Sequence, residues 1–145
     1  MHILIEKNTR RLTLTSDGGV LCFPIALGKN PLGPKEKEGD GKTPEGEYFI
    51  CLKKMGKYGP SLGLNYPNIR DAVRLGADEH LLSLIRHAEE NGARPPWGSP
   101  MGGEIYIHAG GVESDWTAGC IALRDADAKR LYDLCPEGTK VTIVP

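Results

Sequence analysis

Apolar and polar residues alternate through the start of the chain: Ile3 and Ile5, then Leu12 and Leu14, with the polar run Glu6 to Arg11 between them. A period of two marks a half-buried strand, because successive side chains point to opposite faces, so this spacing predicts a β-hairpin. Asp17-Gly18-Gly19 is a tight-turn signal, and Val20 to Leu27, apolar on both faces and ended by Gly28, predicts a central strand. Glu47 to Leu52 predicts another strand, Ser61 to Tyr66 a short strand or extended segment, and Pro67 to Leu75 an irregular stretch. Helical spacing first occurs at Leu81, Leu82, Leu84, Ile85 and Ala88; with Asp78 as N-cap and Gly92 as stop it predicts a helix over 79–91. A turn-rich segment from Arg94 to Gly103 leads to a strand over Glu104 to His108, and a glycine loop follows, ending at Gly119-Cys120-Ile121. Asp125 as cap, with Ala128, Leu131, Leu134 and Cys135, predicts a last helix closed by Pro136 and Gly138, before a strand over Val141 to Val144. The pattern predicts a mainly β fold with two helices, a mixed sandwich or barrel, in a single domain spanning residues 1–145.

Composition narrows the class. A length of 145 residues suits one domain, and 18 basic against 19 acidic residues, with 39% hydrophobic, excludes a disordered chain and a basic nucleic-acid-binding tail. No apolar run approaches the ~20 residues that span a bilayer. The first twenty residues contain no apolar run longer than Ile3-Leu4-Ile5, so no secretory signal is visible and the compartment stays open. The stretch Gly28 to Gly46 sets Lys35, Lys37 and Lys42 against Glu36, Glu38 and Asp40, predicting a solvated loop of a length that often marks function. Cys22 and Cys51 fall in predicted strands and Cys135 on an apolar helix face, so all three read as buried thiols. CxxC, HExxH, GxxxxGK[ST] and GxGxxG are absent, and His80, His87 and Glu90 read as the wet face of a helix; no metal or cofactor is expected.

The densest chemistry lies in IYIHAGGVESDWTAGCIAL, residues 105–123, where His108 ends one predicted strand and Cys120 begins the next. A thiolate is a strong nucleophile, and an imidazole can take its proton and hold the ion pair. Thr117, Ala118 and Gly119 are small, so their N–H groups could join that of Cys120 in an oxyanion hole. Spacing alone equally allows a small buried cysteine and a satisfied core histidine. Trp97 and Trp116 sit in loops beside this run and either line a groove or pack.

The order His108, Gly110-Gly111, then Thr117-Ala118-Gly119-Cys120 resembles the signature of the L,D-transpeptidase catalytic domain, or YkuD domain. Gly39-Asp40-Gly41-Lys42-Thr43-Pro44-Glu45-Gly46-Glu47-Tyr48 is similar to that family's loop-to-strand segment, and Gly102 to His108 to its strand leading to the histidine, so the likeness covers the whole chain. Two positions depart: Ala118 stands where many members carry a second histidine, and Ala122 where many carry Arg or Asn; the interval from His108 to Cys120 is also short. The resemblance implies an L,D-transpeptidase-like fold and a cysteine thioester mechanism on peptidoglycan stem tetrapeptides, releasing D-alanine and forming a cross-link or anchoring bond. Cys120 is then the nucleophile, His108 the base, and Thr117, Ala118 and Gly119 the oxyanion turn. Gly110, Gly111 and Trp116 would line the groove, and Lys42 and Arg94 would attract stem-peptide carboxylates. It further implies carbapenem-type inhibitors, no cofactor, a monomer, and a periplasmic or wall-associated location where a leader has been removed. Two rivals stay open: a hydrolase of carboxypeptidase or amidase type that uses water as acceptor, and a catalytically silent wall-binding module.

Overall fold

The alternating N-terminal residues form β1 (His2–Glu6) and β2 (Arg11–Ser16), antiparallel, with Ile3 opposite Leu14 and Ile5 opposite Leu12, and all four side chains buried. In the computed structural model, which describes residues 1–145, six further strands follow: β3 (Gly19–Pro24), β4 (Gly46–Gly56), β5 (Gly59–Leu64), β6 (Tyr106–His108), β7 (Ile121–Ala122) and β8 (Lys140–Val144). They make one eight-stranded sheet in the order β3-β2-β1-β8-β4-β5-β6-β7, parallel at β1/β8 and β6/β7 and antiparallel elsewhere. Beyond β3, Ala26 exchanges both backbone hydrogen bonds with Ala122 of β7, each 2.9 Å. The sheet therefore curls until its two ends meet, the barrel form of the predicted fold. Its inner face holds the main apolar core, which helix α3 (Asp125–Leu134) closes with Ala128 and Leu131, followed by Cys135.

Several expectations change. The strand over Val20 to Leu27 is not central: β3 lies at the sheet end with Val20 and Cys22 exposed, while Phe23 and the continuation Ile25, Ala26 and Leu27 face inward. Of the three thiols expected inside, Cys51 and Cys135 are buried and Cys22 is not. Three helices form rather than two. The stretch expected to be irregular contains α1 (Ile69–Arg74), short but closed by a capping box in which Asn68 and Asp71 satisfy each other's backbone N–H groups. Helix α2 (Glu79–Glu90) starts as predicted, with Asp78 accepting from Leu81 N. In α3 (Asp125–Leu134) the N-cap is Arg124, and the Asp125 carboxylate instead accepts from Gly110 N at 3.2 Å.

The charged loop 28–46 exposes Glu36, Lys37 and Glu38 as expected, but it is anchored inward at other residues. Lys7, buried at the β1–β2 turn, donates to the carbonyls of Gly33 and Thr43 and to the Glu45 carboxylate; burial lowers its pKa, partly offset by Glu45. Lys35, also buried, pairs with Asp40 at 2.8 Å. Gly28 N donates to the buried hydroxyl of Thr43. Buried lysines are tolerated because each ammonium finds carboxylate or carbonyl oxygens within the same segment.

Candidate active site

The parallel pair β6/β7 sets the site. Ile107 lies opposite Ile121 and His108 opposite Ala122, so Cys120, just before β7, lies beside Tyr106. Tyr106 N donates to Cys120 Sγ at 3.4 Å, and the thiol donates to the Glu104 carbonyl at 3.5 Å. Tyr106 and His108 project from the same face of β6, two residues or ~7 Å apart along the strand. Thiol and imidazole thus occupy neighbouring places on one sheet end, with the thiol parked against backbone instead of against the ring.

His108 is buried, and its Nδ1 hydrogen-bonds the Ala109 carbonyl. A carbonyl only accepts, so the proton sits on Nδ1 and Nε2 is left as the basic nitrogen. Tyr58 stacks on the imidazole at 4.7 Å and 16°, and Trp116 meets it edge-on at 5.7 Å and 67°. Trp116 is fixed by its own bond to the Gly111 carbonyl at 3.0 Å. The ring lies so close over Gly110 (φ +124°) that a Cβ there would be 2.5 Å from Trp116 Cζ2, which explains the glycine.

Burial lowers the pKa of His108 against the opposing Ala109 bond. Burial also pushes the Cys120 thiol up and outweighs the downward pull of the Tyr106 amide and Lys35, while Glu104 adds to the rise. Both shifts favour the uncharged forms, thiol and neutral imidazole, over an ion pair.

The turn before the thiol is wired internally. Thr117 N donates to the Leu27 carbonyl at 3.2 Å, the Thr117 hydroxyl donates to the Cys120 carbonyl at 2.7 Å, and Gly119 N donates to Thr117 Oγ1 at 3.1 Å. The amides of Thr117 and Gly119 are engaged within the fold, while those of Ala118 and Cys120 have no intramolecular acceptor. Ala118 itself is exposed at the rim.

Two cavities flank the thiol and the imidazole. One of about 200 Å³ is lined by Lys35, Glu38, Gly103, Glu104, Ala118 and Cys120, among others. A second of about 370 Å³ is lined by the Tyr58 and Trp116 rings that pack on His108, with Gly110, Gly111, Glu113 and Ser114, and not by His108 itself. Lys42 sends its ammonium to the Leu32 carbonyl at 2.7 Å, and only its backbone reaches the site, under Gly119. Arg94 lies over Trp97 at 4.9 Å, and Trp97 meets Tyr106 edge-on at 5.6 Å, so Arg94 stands behind an aromatic layer.

Sequence reasoning missed four residues that shape this place. Tyr58 is at the tip of the β4–β5 hairpin, for which Gly56-Lys57-Tyr58-Gly59 was a readable turn signal. Asp115 ties the glycine loop down, accepting from Arg10 Nη2 at 2.8 Å and from Leu27 N at 3.0 Å. Asp125 holds Gly110, and Lys35 reaches the thiol's cavity from the charged loop.

Solved L,D-transpeptidases share this curled β fold. The L,D-transpeptidase catalytic domain (YkuD) family matches residues 1–143, and the chain belongs to it. Among solved structures, the helical cell shape determining protein Pgp2 from Campylobacter jejuni is similar at 24% identity and TM-score 0.68, covering 97% of this chain and 46% of that one. An L,D-transpeptidase from Mycobacterium smegmatis is similar at 16% identity and TM-score 0.58, covering 99% and 58%. The L,D-transpeptidase LdtMt1, solved in complex with imipenem, is similar at 16% identity and TM-score 0.54, covering 98% and 57%. The chain thus spans about half the length of these relatives. No curated protein matches it.

Proposed function

We propose that this chain is a cysteine acyltransferase of the bacterial wall that acts on peptidoglycan stem tetrapeptides. His108 Nε2 takes the thiol proton as Cys120 Sγ attacks the carbonyl that joins the L-centre of diaminopimelate to the terminal D-alanine. The carbonyl oxygen becomes an oxyanion facing the amides of Ala118 and Cys120. Collapse breaks the C–N bond, and the proton held on Nε2 passes to the departing nitrogen, giving free D-alanine and a thioester. An amine of a second stem then attacks the thioester, loses a proton to Nε2, and displaces the sulfur, which is reprotonated; the new amide is a cross-link or anchoring bond. The thiol must swing from the Glu104 carbonyl toward the imidazole, a tightening common between resting and substrate-bound sites.

The observation that carries this reading is the Thr117–Cys120 turn: it places a thiol beside two unpartnered amides, one strand pair from an imidazole whose Nδ1 is already committed. Separate cavities on the thiol and imidazole sides support transfer, since donor and acceptor each need a wall. The complex of a similar transpeptidase with imipenem supports acylation by a carbapenem here, and the family's work on the wall supports a periplasmic or wall-associated place. The test is incubation with purified disaccharide tetrapeptide, followed by mass spectrometry. A dimer that has lost one D-alanine is the expected product. Tripeptide alone, even with excess D-amino acid as acceptor, would instead identify a hydrolase. Unchanged substrate, with no imipenem adduct on Cys120, would leave a wall-binding module.

A further inference from the structure

A cavity of about 590 Å³ lies between β4, the start of β8 and helices α1 and α2, and it shares no lining residue with the two beside the thiol and the imidazole. Asn65, only 2% exposed, lines it. Asn65 Oδ1 accepts from Phe49 N at 2.8 Å, and this fixes the amide: only its oxygen can face that N–H, so Nδ2 is the free end. No group of the protein accepts from Nδ2, yet it is not sealed in, since the one fully buried side-chain nitrogen or oxygen without a partner is Ser99 Oγ. Its remaining access is through the cavity. A donor this deep and unpaired calls for an acceptor supplied from outside the chain.

Four charged residues stand at the mouth, all exposed: Arg70, Lys140, Glu47 and Glu89. Their charges cancel, so the cavity selects neither an anion nor a cation. Arg70 and Lys140 make no ion pair. Glu47 Oε2 accepts from Thr142 Oγ1 at 2.8 Å and Glu89 Oε1 from Ile69 N at 3.4 Å, which leaves each carboxylate an uncommitted oxygen. Such a set suits a neutral ligand whose groups both donate and accept, as the adjacent hydroxyls of a sugar ring do. Phe49, half-buried, lies opposite Lys140 and on the same face of β4 as Glu47, and it offers an apolar ring to a sugar's C–H face. A peptide strand finds no ladder to extend here, because Phe49 N and O are both bonded to Asn65 and Gly138 N to the Ile50 carbonyl. The volume falls within the roughly 300–1,000 Å³ of small-molecule sites.

We infer that this cavity binds a neutral acetamido sugar: the amide carbonyl of the sugar accepts from Asn65 Nδ2, and its hydroxyls pair with the guanidinium, ammonium and carboxylates at the mouth. The wall reading above supplies only the source, the glycan strand that carries the stem peptides. The cavity then grips that strand away from the reacting stem, and binding needs neither Cys120 nor His108.

The test titrates isotope-labelled wild-type protein with diacetylchitobiose, a neutral acetamido disaccharide, and follows its amide signals by NMR. Cellobiose, which lacks the acetamido groups, and a free stem tripeptide serve as comparisons. Diacetylchitobiose at millimolar concentration should move the Asn65 side-chain amide and Phe49 backbone signals, and cellobiose should bind more weakly. Asn65→Asp keeps the acceptor for Phe49 N and removes the donor, so it should weaken binding by about 2- to 10-fold, the span of one neutral hydrogen bond. Arg70→Ala, at an exposed position, should weaken it as well and serves where Asn65→Asp does not fold. The inference is overturned by no shift at millimolar sugar, by shifts confined to the surroundings of Cys120 and His108, by equal binding of cellobiose, or by variants that bind as wild type does. Movement of the Asn65 signals by the tripeptide and not by the sugar would overturn it too, identifying a peptide groove. Imipenem acylation of wild-type Cys120, measured in parallel, tests the thioester reading by itself, so the failure of one is distinct from the failure of the other.

Discussion

Replacing Gly119 with alanine would place a Cβ 2.8 Å from the Lys42 carbonyl oxygen and 3.2 Å from Ile105 Cδ1, at a backbone φ of +147°. The φ alone carries strain of ~1–3 kcal/mol for a residue with a side chain. The overlap is with backbone, which cannot rotate away. Ordinary contact begins at 3.4 Å, so the turn or the 28–46 loop must move by about 0.6 Å. Residue 119 is bonded through its N–H to Thr117, and the next amide is that of Cys120, so the displacement falls on the proposed oxyanion donors. Functional constellations tolerate shifts of only ~0.5 Å, and a 1 Å error can cost ~100-fold in rate. We expect Gly119→Ala to lose ~1–3 kcal/mol of stability, a fall in Tm of about 3–10 °C for a chain of this size. We expect its rate of acylation by imipenem to drop by at least ~10-fold at a temperature where it is fully folded. Calorimetry and time-resolved intact mass measure the two. A variant with unchanged Tm and acylation within twofold of wild type would show that the turn is not the rigid element argued for.

Three further outcomes follow from the charge states and packing. Because burial raises the thiol and lowers the imidazole, iodoacetamide labelling of Cys120 should climb steadily above pH 7 with no plateau at lower pH; exposed Cys22 should label freely, and Cys51 and Cys135, both pushed up to about 11 by burial, should label slowest. Asp40 is held down to about 2, burial being outweighed by Lys35 and three amides; its ~2 kcal/mol is fully present above pH ~4 and lost as pH falls toward 2, so the stability gap between wild type and Asp40→Asn in urea titrations should narrow over that window. Removing the ring in Tyr58→Ala admits water to His108 and should raise its pKa toward the ordinary value, read from its imidazole proton shifts.

The parts of this protein that were legible in its sequence are those where a local rule and the final packing agree. Ile3, Ile5, Leu12 and Leu14 alternate because they face one core, and Asp78 caps α2 because the chain enters it from solvent. Cys120 and His108 were legible as an ordered pair because the motif names the ends of two strands. What was hidden depended on distant partners. Val20 and Cys22 look like core residues, but β3 is where the curling sheet ends, and that follows from Ala26 meeting Ala122 nearly a hundred residues away. Lys7 and Lys35 read as solvated because lysine usually is; only the folded loop supplies the oxygens that let them be buried. Helix α1 escaped notice because six residues are too few to show a period, although Asn68 and Asp71 carried its capping signal.

The upward shift of the Cys120 thiol bears on which half of the proposed reaction is harder. A thiol whose pKa is raised by burial is a poorer leaving group from its thioester than a low-pKa thiolate, so deacylation depends more strongly on the nucleophile that arrives. Water is abundant but weak and unpositioned; an amine held in line gains up to ~7–11 kcal/mol of effective concentration. In the proposed reaction a positioned amine can therefore outcompete water for the thioester. The proposed route to transfer thus rests on a positioned amine and a poor sulfur leaving group, with Ala118 at the exposed rim where many members carry a second histidine.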